Sequence, residues 1–555
     1  MRLRSVLLLA LSLLAGLLVV PSHAAGYAGF VNEHAYVKTK HGEMYVQYWR
    51  PKKGKAPVLL QMSPYRYLYG SSPDADAPIT DNYSDKFVPQ GYAAAYADLL
   101  GTGLSGGCWN YGGRKEAEAG AAVVEWLGTR PWSNGKVGMI GTSYDGAIQL
   151  AIATLAPKHL AAIVPQEPVS SWYHYNYDGA VTHNLDDDHD DDPSGIFYPV
   201  GTPDIFDLVL GRTPNTDPDR LPGSLQTRAQ ECDAVEHNLR GHYVRPEYDS
   251  FWVERNWGLR ARNVRAAVLM QHGWRDMNTK PDQFARYWLN LRRATPGNPG
   301  AADVRAVLGQ WRHTDVLAGG SGMRDFPVSG PEYLELFLAR WLKGRKSAAY
   351  DRIPRMLSQA TDGKVRTSLP WTGTPRPTQY FLDHPAEGGR LLPGRVEGHT
   401  PGVFVNSGTE TSATFKHALA PERGYVAYYG KALTKATRYS GRGEVFAHVA
   451  SSLPRGQLVA TLLDVAPDGT ASVVTLGMLD LRYRSNAAVP KDMPLLKPEL
   501  ARVVLRSQDH VFARGHRMVL ALAGSDTVWG IPDPVVGQQL TIMPSSNVIL
   551  PLSPA

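Results

Sequence analysis

KVGMIGTSYDGAIQLAIATLA, residues 136–156, reads as strand, sharp turn and helix. Val137 to Ile140 is a short apolar run of the kind a buried strand makes, and Ala147, Leu150, Ala151 and Leu155 recur at helical spacing. Between them, Gly141-x-Ser143-x-x-Gly146 nearly repeats the G-x-S-x-G turn that carries a nucleophilic serine. Asp145 occupies the last position of that pattern, and the glycine comes one residue later. Small neighbours let the hydroxyl of such a serine stand clear, while the helix N-terminus aims its amides at the reacting group.

The flanking chain continues the alternation. Ala35 to Lys38 and Met44 to Trp49 read as half-buried strands. Ala56 to Met62, Gly91 to Asp98, Leu160 to Pro165, Ala266 to Met270 and Val304 to Leu308 read as further strands. Lys115 to Leu127, Gln283 to Arg292 and Pro331 to Leu342 have helical spacing. Strands alternating with helices imply a parallel sheet covered on both faces, with reactive groups at the C-terminal strand ends. The glycine-rich loop Gly101 to Gly107 lacks the lysine of a phosphate-binding loop, and no helix follows it at once.

A serine needs a base, and the base needs an acid to orient it. The strand ending at Met270 runs into Gln271-His272-Gly273-Trp274-Arg275-Asp276, and the strand ending at Leu308 into Gly309-Gln310-Trp311-Arg312-His313. Ser143, Asp276 and His313 thus stand in the chain order of an α/β-hydrolase triad, each just past a strand. His272 precedes Asp276, which is the wrong order, and Asp315 lies too near His313 to belong to a separate strand end. The amide of Tyr144 is the expected first oxyanion donor. Tyr65, after Ser63-Pro64, either offers its phenol as the second or packs as an aromatic at a strand end.

Between Ser170 and Asn263 the alternation breaks into an aromatic and charged stretch, expected to be a mostly helical cap. Its acidic run, Asp186 to Asp192, lacks the ligand spacing of a calcium loop and reads as a solvated segment. After Tyr350, short alternating segments such as Tyr425 to Tyr429, Val445 to Val449 and Leu458 to Leu463 are separated by turns such as Pro467-Asp468-Gly469. They predict an antiparallel sandwich or jelly roll. The expected organisation is an α/β-hydrolase domain over 25–169 and 264–348, a cap over 170–263 and a β domain over 349–555.

The first 24 residues read as a signal peptide. Arg2 and Arg4 precede an apolar Val6 to Val20, and Ser22 and Ala24 suit a cleavage site. A secreted protein is expected, with no later apolar stretch able to span a membrane. Hydrophobic residues at 43% and charged residues at 20% are those of a globular chain, and 54 glycines with 41 prolines call for many turns. Loss of Arg2 and Arg4 takes the net charge from +6 to +4, spread along the chain, which points to no nucleic-acid partner. Cys108 and Cys232 either pair in an oxidising compartment or stay as buried thiols.

Ser63-Pro64-Tyr65, Gly141-x-Ser143-Tyr144-x-Gly146, Gly273-Trp274-x-Asp276 and Trp311-x-His313 resemble the motifs of the Xaa-Pro dipeptidyl-peptidases, whose wider group includes cocaine esterase and the α-amino acid ester hydrolases. Leu463 to Gly469 and Gly515-His516-Arg517 extend the likeness into the C-terminal part. The resemblance implies a triad of Ser143, Asp276 and His313, with Tyr65 in the oxyanion hole. Ser170-Ser171-Trp172-Tyr173 and Asp249-x-Phe251-Trp252-x-Glu254-Arg255-Asn256 look more like the peptidase branch than the esterase branch. Gln310, Arg312 and Thr314 depart from the family's commoner Gly-Pro-Trp-x-His-Gly context.

The expected activity is release of Xaa-Pro dipeptides from peptides with a free N-terminus, with neither cofactor nor metal called for. An acyl esterase or β-lactam acylase with the same triad is the alternative, and a wall-associated binding protein with an inert hydrolase domain is a third. Trp172 and Tyr173 are candidates for the proline pocket or for core packing. Glu254, or else Asp178, is a candidate for holding the substrate ammonium; each is otherwise a solvated or paired carboxylate.

Overall fold

The computed structural model describes residues 27–65, 83–183, 245–291, 301–313, 321–368, 377–385, 388–394, 400–409, 424–530 and 535–555, together with 232, 241 and 317. The expected signal peptide, the acidic run Asp186 to Asp192, Thr314 and most of the expected cap lie outside the described residues.

Ten strands form the first sheet: β1 (Phe30–Thr39), β2 (Gly42–Pro51), β3 (Ala56–Ser63), β4 (Ala93–Asp98), β5 (Ser133–Thr142), β6 (Leu160–Gln166), β7 (Ala267–Gly273), β8 (Val304–Gly309), β9 (Met356–Gln359) and β10 (Val365–Arg366). Their spatial order is β1-β2-β4-β3-β5-β6-β7-β8-β9-β10. From β4 to β9 every pairing is parallel, while β1, β2 and β10 add antiparallel edges. Inner parallel strands are covered on both faces, so β3, β4 and β7 are buried throughout.

The alternation within a strand decides which helices it meets. Val58, Leu60 and Met62 pack on one face with α1 (Arg114–Gly128), α2 (Tyr144–Ala153) and, further along the chain, α5 (Asp282–Leu291). Leu59, Ile140 and Val164 point the other way, against Tyr333, Leu334, Phe337 and Leu338 of α6 (Gly330–Leu342). The described part of the insertion holds two short helices, α3 (Trp172–Asn176) and α4 (Ser250–Glu254), a 3-10 turn at Trp257–Asn263 and a two-stranded ribbon. Cys108 and Cys232 are joined by a disulfide that ties the loop after β4 to this insertion.

The first sheet runs past the boundary expected at residue 348. Met356–Gln359 pairs in parallel with β8, so the register of the hydrolase sheet carries β9 and β10 into it. Beyond them lies a β-rich domain: an 11-stranded sheet, antiparallel except where Gly389 and Arg390 meet Tyr428 and Tyr429, and a three-stranded sheet. The alternating segments appear there as strands Tyr425–Tyr429, Glu444–Ser451 and Gln457–Val465. The turn at Pro467-Asp468-Gly469 folds the last of these back onto Ala471–Asp480.

Candidate active site

Ser143 stands between β5 and α2 with φ 61° and ψ −121°, a region L-residues seldom occupy. Two glycines make room for it. A Cβ on Gly141 would lie 2.6 Å from the Asp145 Cβ, and one on Gly146 would lie 2.7 Å from the Gln166 carbonyl oxygen. The second glycine is therefore needed at 146 rather than 145. Asp145 itself is buried and accepts from the Gln61 amide of β3 at 2.9 Å, so it anchors the turn and does not face solvent. The Ser143 hydroxyl makes no hydrogen bond among the described residues.

Tyr144 is pinned by its phenol. It donates to Glu116 at 2.9 Å and accepts from the Trp109 indole at 2.9 Å. Burial pushes the Glu116 carboxyl up to about 7, against the hydrogen bonds from Tyr144 and the amides of Asn110 and Gly112. The Tyr65 ring sits edge-on to the Tyr144 ring, 6.4 Å between centroids, at the end of β3 beside β5.

Asp276 and His313 follow β7 and β8, on the strand edge that also carries Ser143. The imidazole Nδ1 lies 3.0 Å from the Asp276 Oδ2, leaving Nε2 as the nitrogen able to take a proton. Thr279 completes the support: its amide donates to Oδ1 at 2.9 Å and its hydroxyl to Oδ2 at 2.6 Å. Burial alone would raise the Asp276 pKa, but the charge and hydrogen bond of His313 outweigh it and hold the carboxyl below its usual range.

Glu167, one residue past β6, was not singled out from the sequence, yet it lies against this acid. It is fully buried at φ 42°. Its carboxyl accepts from the Gln271 amide at 3.1 Å, the Gly273 backbone at 2.9 Å and the Trp311 indole at 3.0 Å. Burial, and then the Asp276 charge, push it well above the usual carboxylate range. His272 sits 3.6 Å from Asp276 and 3.7 Å from Glu167, and burial pushes it down to about 4. Glu167, His272 and Asp276 offer ligand atoms within 4.8 Å of one another. Glu167 and Asp276 are committed to these donors, while neither ring nitrogen of His272 has a hydrogen-bond partner among the described residues.

The pocket candidates fare differently. Trp172 is buried, its ring 4.7 Å from that of Tyr144 and 4.8 Å from that of Tyr111, and so packs behind the turn. Tyr173 donates to the Pro246 carbonyl at 2.7 Å and lines a cavity. The half-exposed carboxylate of Glu254 accepts from the Arg114 amide at 3.2 Å and lies 3.5 Å from Arg255. Asp178 is paired with Arg506 at 3.0 Å. Gln310, a departure from the family context, has a local reason: its amide donates to Gln359 and Asp509 carbonyls at 3.1 Å each, tying the His313 loop to the C-terminal domain.

A family model described as X-Pro dipeptidyl-peptidase (S15 family) matches residues 41–315, and one described as X-Pro dipeptidyl-peptidase C-terminal non-catalytic domain matches residues 323–542. A Streptomyces avermitilis protein named as a candidate Xaa-Pro dipeptidyl-peptidase is 26% identical, over 85% of this chain and 74% of its own. A Bacillus cereus protein of the same name is 25% identical, over 94% and 90%. Among solved structures, an α-amino acid ester hydrolase matches with TM-score 0.71 at 18% identity, covering 95% of this chain and 97% of that one. A CocE/NonD family hydrolase from Staphylococcus aureus matches with TM-score 0.71 at 16% identity, over 94% and 93%. At these identities the two structures speak for the fold: an α/β-hydrolase with a β-rich C-terminal domain.

Proposed function

The chain belongs to the X-Pro dipeptidyl-peptidase family and is a serine hydrolase, and from that premise we propose that it releases Xaa-Pro dipeptides from peptide N-termini outside the cytoplasm. Ser143 attacks the prolyl carbonyl while the His313 Nε2 takes its proton. Asp276 holds the Nδ1 proton, fixing the tautomer and stabilising the imidazolium. The Tyr144 amide and the Tyr65 phenol receive the oxyanion. The protonated imidazolium then hands its proton to the leaving amine, and water hydrolyses the acyl-enzyme by the same route in reverse. The 3.0 Å bond between His313 and Asp276, at the strand edge that carries Ser143, is the observation on which this rests. The Cys108–Cys232 disulfide supports an oxidising destination.

A second reading, hydrolysis of acyl or aminoacyl esters, has one observation in its favour. Both carboxylates considered for the substrate ammonium, Asp178 and Glu254, already face arginines. Turnover of Ala-Pro-anilide, its N-acetylated form and an aryl ester separates the readings. The peptidase reading requires cleavage of the free-amine anilide in preference to the blocked one; ester turnover with neither anilide cleaved replaces it. Fluorophosphonate labelling lost in Ser143→Ala is required by both.

A further inference from the structure

A cavity of about 300 Å³ lies between the base of the insertion, the loop after Asp276 and the C-terminal domain; Ser143, Asp276 and His313 do not line it. Its charge is unbalanced. Lys280, Arg286, Arg502 and Arg506 face it, against Asp178 and Asp282. Asp178 is paired with Arg506, Arg502 is paired with Glu444, and Asp282 accepts from the amide and hydroxyl of Ser507 at 2.9 Å each. Two cations remain. Among the described residues the Lys280 ammonium donates to the Tyr175 carbonyl alone, at 3.3 Å, and the enclosed Nε of Arg286 donates to nothing.

An enclosed excess of positive charge is costly. Burial pushes Lys280 down to about 7; Asp178 and Asp282 oppose that, and Arg506 and Arg286 add to it. His174, on the same wall, is kept neutral by burial and by Arg286, Lys280 and Arg442. An anion would cancel this excess. The remaining wall includes Tyr173, Tyr177 and Tyr483, which suit an organic body rather than a bare ion, and the volume is at the lower end of small-molecule sites.

We propose that this cavity binds a small organic carboxylate, held by Lys280 and Arg286 against the tyrosine walls. The assignment is independent of which acyl compound Ser143 attacks. Bound carboxylate draws Lys280 back to its charged form, so binding takes up protons and weakens as pH rises through about 7.

Calorimetry on the full chain with N-acetylglycine, inorganic phosphate and glycinamide tests it. N-acetylglycine is expected to bind with proton uptake, glycinamide not to bind, and Lys280→Met and Arg286→Gln each to weaken N-acetylglycine at least about tenfold. Lys280→Arg keeps the charge, so it should retain binding and lose the proton uptake; it stands in if the methionine variant does not fold. No N-acetylglycine binding, binding without proton uptake in the unaltered protein, equal affinity in the Arg286→Gln variant, or binding of phosphate alone overturns the proposal.

Discussion

Burial and the charge of Asp276 push the Glu167 carboxyl well above the usual carboxylate range, while His313 holds Asp276, which has a carboxylate oxygen within 4.8 Å of Glu167, below it. Two carboxylates this close cannot both be charged in a buried site, and the one facing His313 is the one that ionises. Glu167→Gln is therefore expected to fold and to keep kcat/KM within about tenfold, because an amide has the shape of the protonated acid and offers a donor in its place. The acid limb of its pH–rate profile should move by less than about half a unit. If the limb fell by about a full unit instead, Glu167 would be contributing negative charge beside His313 in the unaltered enzyme.

Thr279 gives Asp276 two of its hydrogen bonds. Thr279→Val removes the hydroxyl and leaves the amide, so Asp276 should still be charged but less firmly aimed. A loss of about tenfold in kcat with KM unchanged is expected, set beside about 10⁴-fold for Asp276→Asn, which inverts the imidazole's hydrogen-bond partner. Single-turnover rates on an aryl ester compare the two directly. Equal losses would mean that Thr279 holds more than the orientation of one carboxylate.

What was legible in the sequence was local or repeated. The turn at Ser143 announces itself through an apolar run, two glycines and a helical pattern, all within 21 consecutive residues. Asp276 and His313 could be found because each repeats the same local sign, a polar residue just past an apolar strand. Glu167 carries that sign too, following Leu160–Gln166, but its role depends on β6 and β7 being neighbours in space. The charge of the cavity could not be read at all, because Asp178, the segment from Lys280 to Arg286, and Arg506 come from three separate parts of the chain. For Glu254 the sequence left a substrate ammonium and a paired carboxylate both open, and the structure sets Arg255 3.5 Å from it, a contact between chain neighbours that spacing alone does not reveal.

Asp145, at the position where the usual turn has glycine, is a buried acceptor for Gln61. Restoring the common pattern with Asp145→Gly should therefore weaken the fold. It leaves the Gln61 amide without this acceptor and puts a glycine in the first turn of α2, together about 1–3 kcal/mol. Urea unfolding reads the loss, and Asp145→Asn should recover part of it. Unchanged stability with altered substrate preference would instead place Asp145 beside the substrate.

Glu116 gives the fold a pH dependence with a definite sign. Its carboxyl stands at about 7 in the folded protein against an ordinary 4.5, so the native state binds the proton more tightly than the unfolded chain does. The stabilisation is complete below pH about 4.5 and is lost as pH rises through about 7, a change of about 3 kcal/mol. Glu167 adds a slope of the same sign; Asp276, with its depressed value, acts oppositely and only at lower pH. Glu116→Gln keeps a group able to bond the Tyr144 phenol but cannot titrate. Its urea midpoint should therefore fall less steeply than that of the unaltered protein between pH about 4.5 and about 7, with m unchanged. Parallel curves for the two proteins would mean that Glu116 is charged throughout, and that the donors from Asn110, Gly112 and Tyr144 overcome its burial.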